Sequence, residues 1–338
     1  MSVIRTVAGD LATSDFTGAC LAHEHLLIDL RNQAARDALE RKVTVADRAA
    51  LMTSPYSMKD NLVLDDMEAA AEECRELLTH HCDLVVDCST AQIGRNPQRL
   101  LELSRSTGMR IVMGCGYYTG DTYPATVAER PREQLAEEML LECEQGTVGV
   151  RPGVLGELGT SREILPNERR VLEAAALVQK RTNLGVQVHT YPWGKCGLEA
   201  VGILLAGGVP PEKISICHAD VMLGRDYIEA LLRLGVFVEF DNFGKEFTPA
   251  VGNSFAGGAF ATDMERVALF SQLFKDGWGP QLLMTNDLCL KCMLKRYGGK
   301  GYGHVFQGIP VLMQNNGLAP QEWQPLVMHD NPLRFLEV

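Results

Sequence analysis

Eight short apolar runs, each ending in a polar or reactive residue, constrain the fold of this chain more than any other feature. Residues 18–21 enter His23-Glu24-His25, and 83–86 end at Asp87-Cys88. Residues 110–113 enter Gly114-Cys115-Gly116, 153–155 reach Gly156-Glu157, and 186–188 end at His189. Residues 214–217 end at His218, 236–240 at Asp241, and 282–285 reach Asp287. The runs are nearly continuous Val, Ile and Leu with little alternation, the pattern of parallel strands buried on both faces. Between them, residues 65–80, 168–181, 197–205, 227–234 and 263–276 carry apolar side chains at helical spacing. Strands alternating with helices imply βαβ units. Eight of them imply an α/β fold closed as a (β/α)8 TIM barrel, with a doubly wound open sheet as the alternative.

The uneven spacing predicts a short N-terminal hairpin and long loops over the C-terminal mouth. Residues 31–61 read as an excursion over that mouth. A small-residue loop, Ser254-Phe255-Ala256-Gly257-Gly258-Ala259, lies between Asp241 and Asp287, and residues 294–304 read as a mobile glycine-rich loop. No fixed-period repeat, low-complexity tract or interdomain linker interrupts the 338 residues, so 1–338 is expected to be a single domain.

Composition narrows the partners. Lys and Arg total 32 against 43 Asp and Glu, a formal net charge of -11, which repels phosphate backbones and anionic lipid. Neither nucleic acid nor membrane is expected as a partner. No run of about 18 apolar residues appears, and residues 1–10 lack the pattern of a signal peptide. Ten irregularly spaced cysteines read as reduced thiols in a cytoplasmic protein.

The chemistry concentrates at the strand ends. On a strand, residues i and i+2 share a face, so His23 and His25 converge on one point, where two neutral imidazoles suit zinc or a similar ion. By themselves they would equally serve as hydrogen-bonding groups at a strand end. His189, His218, Glu157 and Asp287 close four further strands, and barrel enzymes assemble their sites at that end. Four imidazoles and two carboxylates in one partly dry mouth are costly without counter-cations, which points to a pair of divalent ions.

These stretches also carry a resemblance. Leu21-Ala22-His23-Glu24-His25-Leu26, Gly153-Val154-Leu155-Gly156-Glu157-Leu158-Gly159-Thr160-Ser161, Val188-His189, Cys217-His218, Asn286-Asp287 and Asn331-Pro332-Leu333-Arg334-Phe335 occur in order over nearly the whole chain. The chain resembles the phosphotriesterase family of the amidohydrolase superfamily. Segments 60–66, 113–118 and 296–302 make it most similar to the phosphotriesterase-related and resiniferatoxin-binding-protein branch. The resemblance implies that His23, His25 and Asp287 bind the more buried metal and His189 and His218 the more exposed one. Glu157 stands where the family usually bridges the metals with a carboxylated lysine, as it does in that branch. A bridging hydroxide as nucleophile and Asp287 as its proton acceptor follow from the same resemblance. So does a small-molecule substrate: a lactone or ester, an N-acyl amide, or a phosphotriester as a side activity. A dedicated phosphotriesterase and a catalytically silent ligand-binding barrel are the competing readings. Zinc is the expected metal, with manganese, cobalt and iron open. Homodimers are common in the family.

Around the mouth, Tyr117, Tyr118 and Trp193 could contact substrate or merely pack. Lys245 could bind an anionic group or be a solvated loop lysine. Lys291, Lys295, Arg296 and Lys300 could receive a substrate anion or form the cationic end of a helix. Asp241 is a candidate partner for the second nitrogen of a metal-binding imidazole.

Overall fold

The computed structural model describes residues 2–249 and 258–338. The eight runs are eight parallel strands: β1 (Ala19–Glu24), β2 (Cys82–Asp87), β3 (Arg110–Cys115), β4 (Val154–Gly159), β5 (Gly185–His189), β6 (Ile214–Ile216), β7 (Phe237–Phe240) and β8 (Leu282–Met284). They pair in sequence order in one sheet. Between β8 and β1 the ring closes largely through side chains. Thr285 Oγ1 donates to the His23 carbonyl at 2.8 Å. The Glu24 carboxylate accepts from Thr285 Oγ1 at 2.7 Å, from the Asn286 backbone N–H at 2.8 Å and side-chain amide at 2.9 Å, and from the Leu288 N–H at 2.8 Å. The fold is the (β/α)8 barrel, not the open sheet.

Helices α1 (Met67–Thr79), α2 (Pro97–Thr107), α3 (Arg132–Gln145), α4 (Pro166–Thr182), α5 (Gly197–Ala206), α6 (Arg225–Leu232), α7 (Asp263–Leu273) and α8 (His304–Asn315) accompany the strands. Their starts follow the chemistry of helix caps. Asp66 accepts from the backbone of Glu68 and Ala69, Asn96 from Arg99, and Thr262 and Glu265 form a reciprocal capping box. Among the described residues no helix is long and apolar enough to cross a membrane.

Two apolar layers result. Cys20, Ala22, Leu84, Val86, Val112, Val154, Phe237 and Leu283 form a cluster with Phe16, Phe335, Leu336 and Ile4, the last from the N-terminal hairpin Val3–Thr6/Gly9–Ala12. Alternate strand residues, including Leu21, Val85, Ile111, Leu155, Val186, Ile214, Val238 and Leu282, belong to the larger core that they share with the helices. The register shifts three times, between Ala19 and Cys20 and between Leu21 and Glu24 on β1, and between Leu155 and Leu158 on β4; the last two lie beside the candidate site. Such bulges re-aim the side chains beyond them, here His23 and Glu157. At the β4 shift Gly156 has φ 146°, and a Cβ there would lie 2.6 Å from the Gln187 carbonyl oxygen, so only glycine fits.

The excursion is built of the short turns Arg31–Gln33, Val45–Asp47 and Lys59–Leu62 and the helix Arg48–Leu51. Residues 254–257 of the small-residue loop lie outside the described residues. Segment 294–304 is attached at two points: the buried Glu73 carboxylate of α1 accepts from the Lys295 N–H at 2.7 Å and the Tyr302 N–H at 3.1 Å.

Candidate metal centre

The strand ends bring His23, His25, Glu157, His189, His218 and Asp287 together at the C-terminal mouth. Glu157 lies at the middle, within 3.4 Å of His23 Nε2, 3.4 Å of His25 Nε2, 3.2 Å of His189 Nδ1 and 3.6 Å of His218 Nε2. Asp287 Oδ1 lies 3.6 Å from His23 Nε2 and 3.1 Å from His25 Nε2. The inward nitrogens of His189 and His218 are 2.8 Å apart. His189 is the most exposed of the six. His218 and Asp287 adopt left-handed backbone, φ 62° and 46°, a conformation that L-residues occupy at a cost and that clusters at functional sites.

Each outward nitrogen decides which inward one is free. Ser89 Oγ donates to the Leu27 carbonyl at 2.7 Å, so it accepts from His25 Nδ1 at 2.9 Å, leaving a lone pair on Nε2. His218 Nδ1 faces Asp241 at 3.1 Å, the partner anticipated for one of the imidazoles. His23 Nδ1 faces Glu239 at 2.7 Å, a partner that sequence reasoning missed. His23 Nε2 is fully buried and has no hydrogen-bond partner. Buried polar atoms are nearly always paired, and an unpaired imidazole nitrogen aimed between two carboxylates is what a cation would satisfy. Two sets of donor atoms, His23/His25/Asp287 and His23/Glu157/His218, each fall within 4.8 Å of one another. These residues fit a divalent metal in both donor type and placement.

The electrostatics agree. Burial lowers an imidazole pKa, yet Asp287 and Glu157 raise His25 to about 9, and Asp241 with Glu157 raises His218 to about 10. Burial would raise the Asp287 carboxyl, but Lys245, His25, His23 and His218 hold it below the ordinary carboxylate range. The cluster is short of positive charge, a deficit that divalent cations would fill.

A cavity of about 630 Å³ opens over the cluster, well within the range of small-ligand sites. Ile28, Leu30, Tyr56, Tyr118, Trp193, Phe247 and Phe260 supply apolar wall, and Asn242, Lys245 and Arg162 supply polar groups. The Tyr118 hydroxyl lies 3.4 Å from His189 Nδ1. Lys245 is buried with its ammonium against Asp287 Oδ2, so the solvated-lysine reading fails. The structure brings Tyr118, Trp193 and Lys245 to the cavity but neither Tyr117 nor Arg296. Tyr117 packs away from it, edge-on to Tyr123. Arg296 is bound by Asp66 at 2.9 Å, Glu68 at 3.3 Å and Glu72 at 2.8 Å. The rest of that basic cluster is likewise neutralised, Lys291 by Asp60, Lys295 by Glu76 and Lys300 by Glu246 and Asp263. Their charges serve the loop's attachment, not an anion site. The buried Glu168 was also missed; its carboxylate accepts from the N–H groups of Gly120, Ser161 and Leu165, tying two mouth loops together.

A model of the phosphotriesterase family matches residues 2–336. The phosphotriesterase homology protein of Escherichia coli strain K12 is 29% identical over 326 residues, covering 96% of this chain and 99% of that protein. The N-acetyltaurine hydrolase of Danio rerio is 28% identical over 344 residues, covering 98% and 97%. The crystal structure of a resiniferatoxin-binding protein from Rhodobacter sphaeroides superposes with a TM-score of 0.93 at 29% identity, covering 99% of this chain and 94% of that one.

Proposed function

The chain belongs to the phosphotriesterase family, and its relatives include an N-acetyltaurine hydrolase; from that premise we propose that it cleaves a small carbonyl compound, a lactone or ester or an N-acyl amide, with two divalent cations. The observation that carries this reading is the unpaired, fully buried Nε2 of His23 aimed between Glu157 and Asp287. His23, His25 and Asp287 would hold one cation, His189 and His218 the other, and Glu157 would bridge them, needing no carboxylated lysine. When bound, such a pair lowers the pKa of water and polarises the scissile group. Zinc is the proposed metal.

The remaining steps fall to side chains. Asp287 Oδ2 accepts the proton of the attacking water and returns it to the leaving group. The Lys245 ammonium keeps that carboxylate ionised beforehand. Lys245, together with Arg162, which lines the same cavity and lies over the Tyr191 ring at 5.2 Å, favours a substrate carrying an anionic group. The apolar wall from Tyr56 to Phe260 limits water around the reacting carbonyl.

Ten unpaired cysteines, nine of them buried, support a reducing cytoplasm as the compartment. The homodimer implied by the resemblance is read out by light scattering. The test of function is turnover by the metal-loaded protein of a panel of lactones, N-acyl amino-sulfonates and phosphotriesters. Hydrolysis of a lactone or N-acyl amide in preference to phosphotriesters is the expected result. A protein that holds two equivalents of metal yet turns over no panel member would be a ligand-binding barrel instead.

A further inference from the structure

A second polar layer lies beneath the mouth, inside the barrel, where packing alone calls for apolar side chains. Its centre is Glu239 of β7, fully buried. Oε2 lies 2.7 Å from His23 Nδ1, and Oε1 accepts from Ser215 Oγ at 2.6 Å and from Gln187 Nε2 at 3.0 Å. Gln187 is fixed in turn: its amide donates to the Ala22 carbonyl at 2.7 Å, and its oxygen accepts from the Cys88 thiol at 3.1 Å. Residues on or beside four other strands thus lock one carboxylate in one orientation. Asp241 is 3.6 Å from His23 Nδ1 but 3.1 Å from His218 Nδ1, so each acid serves a different imidazole.

Burying a carboxylate costs several kcal/mol unless its partners offset the loss of water. A neutral residue would fill the same space. His23 Nδ1, Cys217, Glu239 and Asp241 also lie close enough to be read as a cation site of their own. However, Glu239 already has three donors, which marks a completed hydrogen-bond network. What the network leaves unfinished is on the far side of the His23 ring, where Nε2 has no partner.

We propose that Glu239 is a positioning residue for the metal centre: its carboxylate holds His23 in the Nδ1–H tautomer and aims the Nε2 lone pair into the buried cation position. Asp241 does the same for His218 at the exposed position, while His25 leans on a neutral hydroxyl. The inference rests on the metal-hydrolase reading above and adds to it the residue that fixes one ligand's orientation and donor strength.

Glu239→Gln keeps the volume and removes the charge. The wild type loaded with two equivalents of manganese(II) is expected to give the electron paramagnetic resonance spectrum of a coupled pair. The variant is expected to hold the buried ion about 10- to 100-fold more weakly in chelator competition, leaving the signal of an isolated ion. Glu239→Asp, which retains the charge, should recover part of the affinity. Unchanged chelator competition in Glu239→Gln would overturn the proposal while leaving the hydrolase reading intact. A wild type that takes up no manganese would fell both. Should Glu239→Gln not fold, nitrogen-15 histidine resonances of the wild type decide the matter. A far-downfield Nδ1–H on His23 is expected, and an Nε2–H tautomer would overturn the assignment. A cation found among His23, Cys217, Glu239 and Asp241 would also overturn it.

Discussion

Glu24, the last residue of β1 and flanked by His23 and His25, is predicted to hold the barrel shut, and Glu24→Ala measures how much. The substitution removes the acceptor of four hydrogen bonds. Two of the four donors have somewhere else to go: Thr285 Oγ1 already reaches the His23 carbonyl at 2.8 Å, and the Asn286 amide reaches the Tyr302 carbonyl at 3.0 Å. The backbone N–H groups of Asn286 and Leu288 have no other acceptor among the described residues. An orphaned buried donor costs about 1–3 kcal/mol, so the pair costs about 2–6 kcal/mol, a large part of a typical stability of about 5–15 kcal/mol. Glu24→Gln keeps one carbonyl oxygen and turns an amide onto the other donor, for about 1–3 kcal/mol. Urea unfolding of the metal-free protein, followed by circular dichroism, gives the midpoint and slope. The expected result is Ala worse than Gln worse than wild type at an unchanged slope. A Glu24→Ala protein within about 0.5 kcal/mol of wild type, as for an ordinary surface position, would refute the closure argument.

Asp287→Asn is expected to keep the fold and most of the metal while losing at least about 10²-fold in kcat, measured beside elemental analysis; near-wild-type turnover would remove Asp287 as the proton acceptor. Lys245→Met should lower kcat/KM for an anionic N-acyl substrate relative to its neutral analogue by about tenfold or more, the worth of a charge-assisted hydrogen bond of about 1.5–3 kcal/mol; an unchanged ratio would exclude Lys245 as the anion contact. Burial would raise the Asp263 carboxyl, but His304, Lys300 and the Gly244 N–H outweigh it and hold it below the usual range. Because the folded-state pKa is depressed, this contribution to stability is full above the unfolded value of about 3.9 and is lost as pH falls below it. Asp263→Asn should therefore flatten the acid limb of the stability profile, and an unaltered limb would count against the pairing.

The strands were legible because residues buried on both faces leave unbroken runs of Val, Ile and Leu. Five of the eight helices were legible from their apolar positions. Helix α2 buries little beyond Leu100 and Leu103, α3 is acidic along most of its length, and α8 carries Pro310, so none announced itself. The six mouth residues could be named because each ends a strand or sits on a recognisable motif. Of their supports, Asp241 could be named because it too ends a strand, but Glu239 could not: it is one residue inside a strand, and nothing in Phe-Val-Glu-Phe says that the carboxylate points inward at His23. The two bulges that aim His23 and Glu157 were also invisible, since a register shift depends on the neighbouring strand. The basic cluster around Arg296 misled because its acidic partners, Asp66, Glu72 and Glu76, lie more than 200 residues earlier.

Anomalous diffraction from crystals equilibrated with a zinc salt tests the central claim most directly. Two peaks about 3.5–4 Å apart, one beside His23, His25 and Asp287, the other beside His189 and His218, with Glu157 between them, are the predicted result. No peak among these six side chains, or a lone ion that leaves His23 Nε2 unbound, would contradict it.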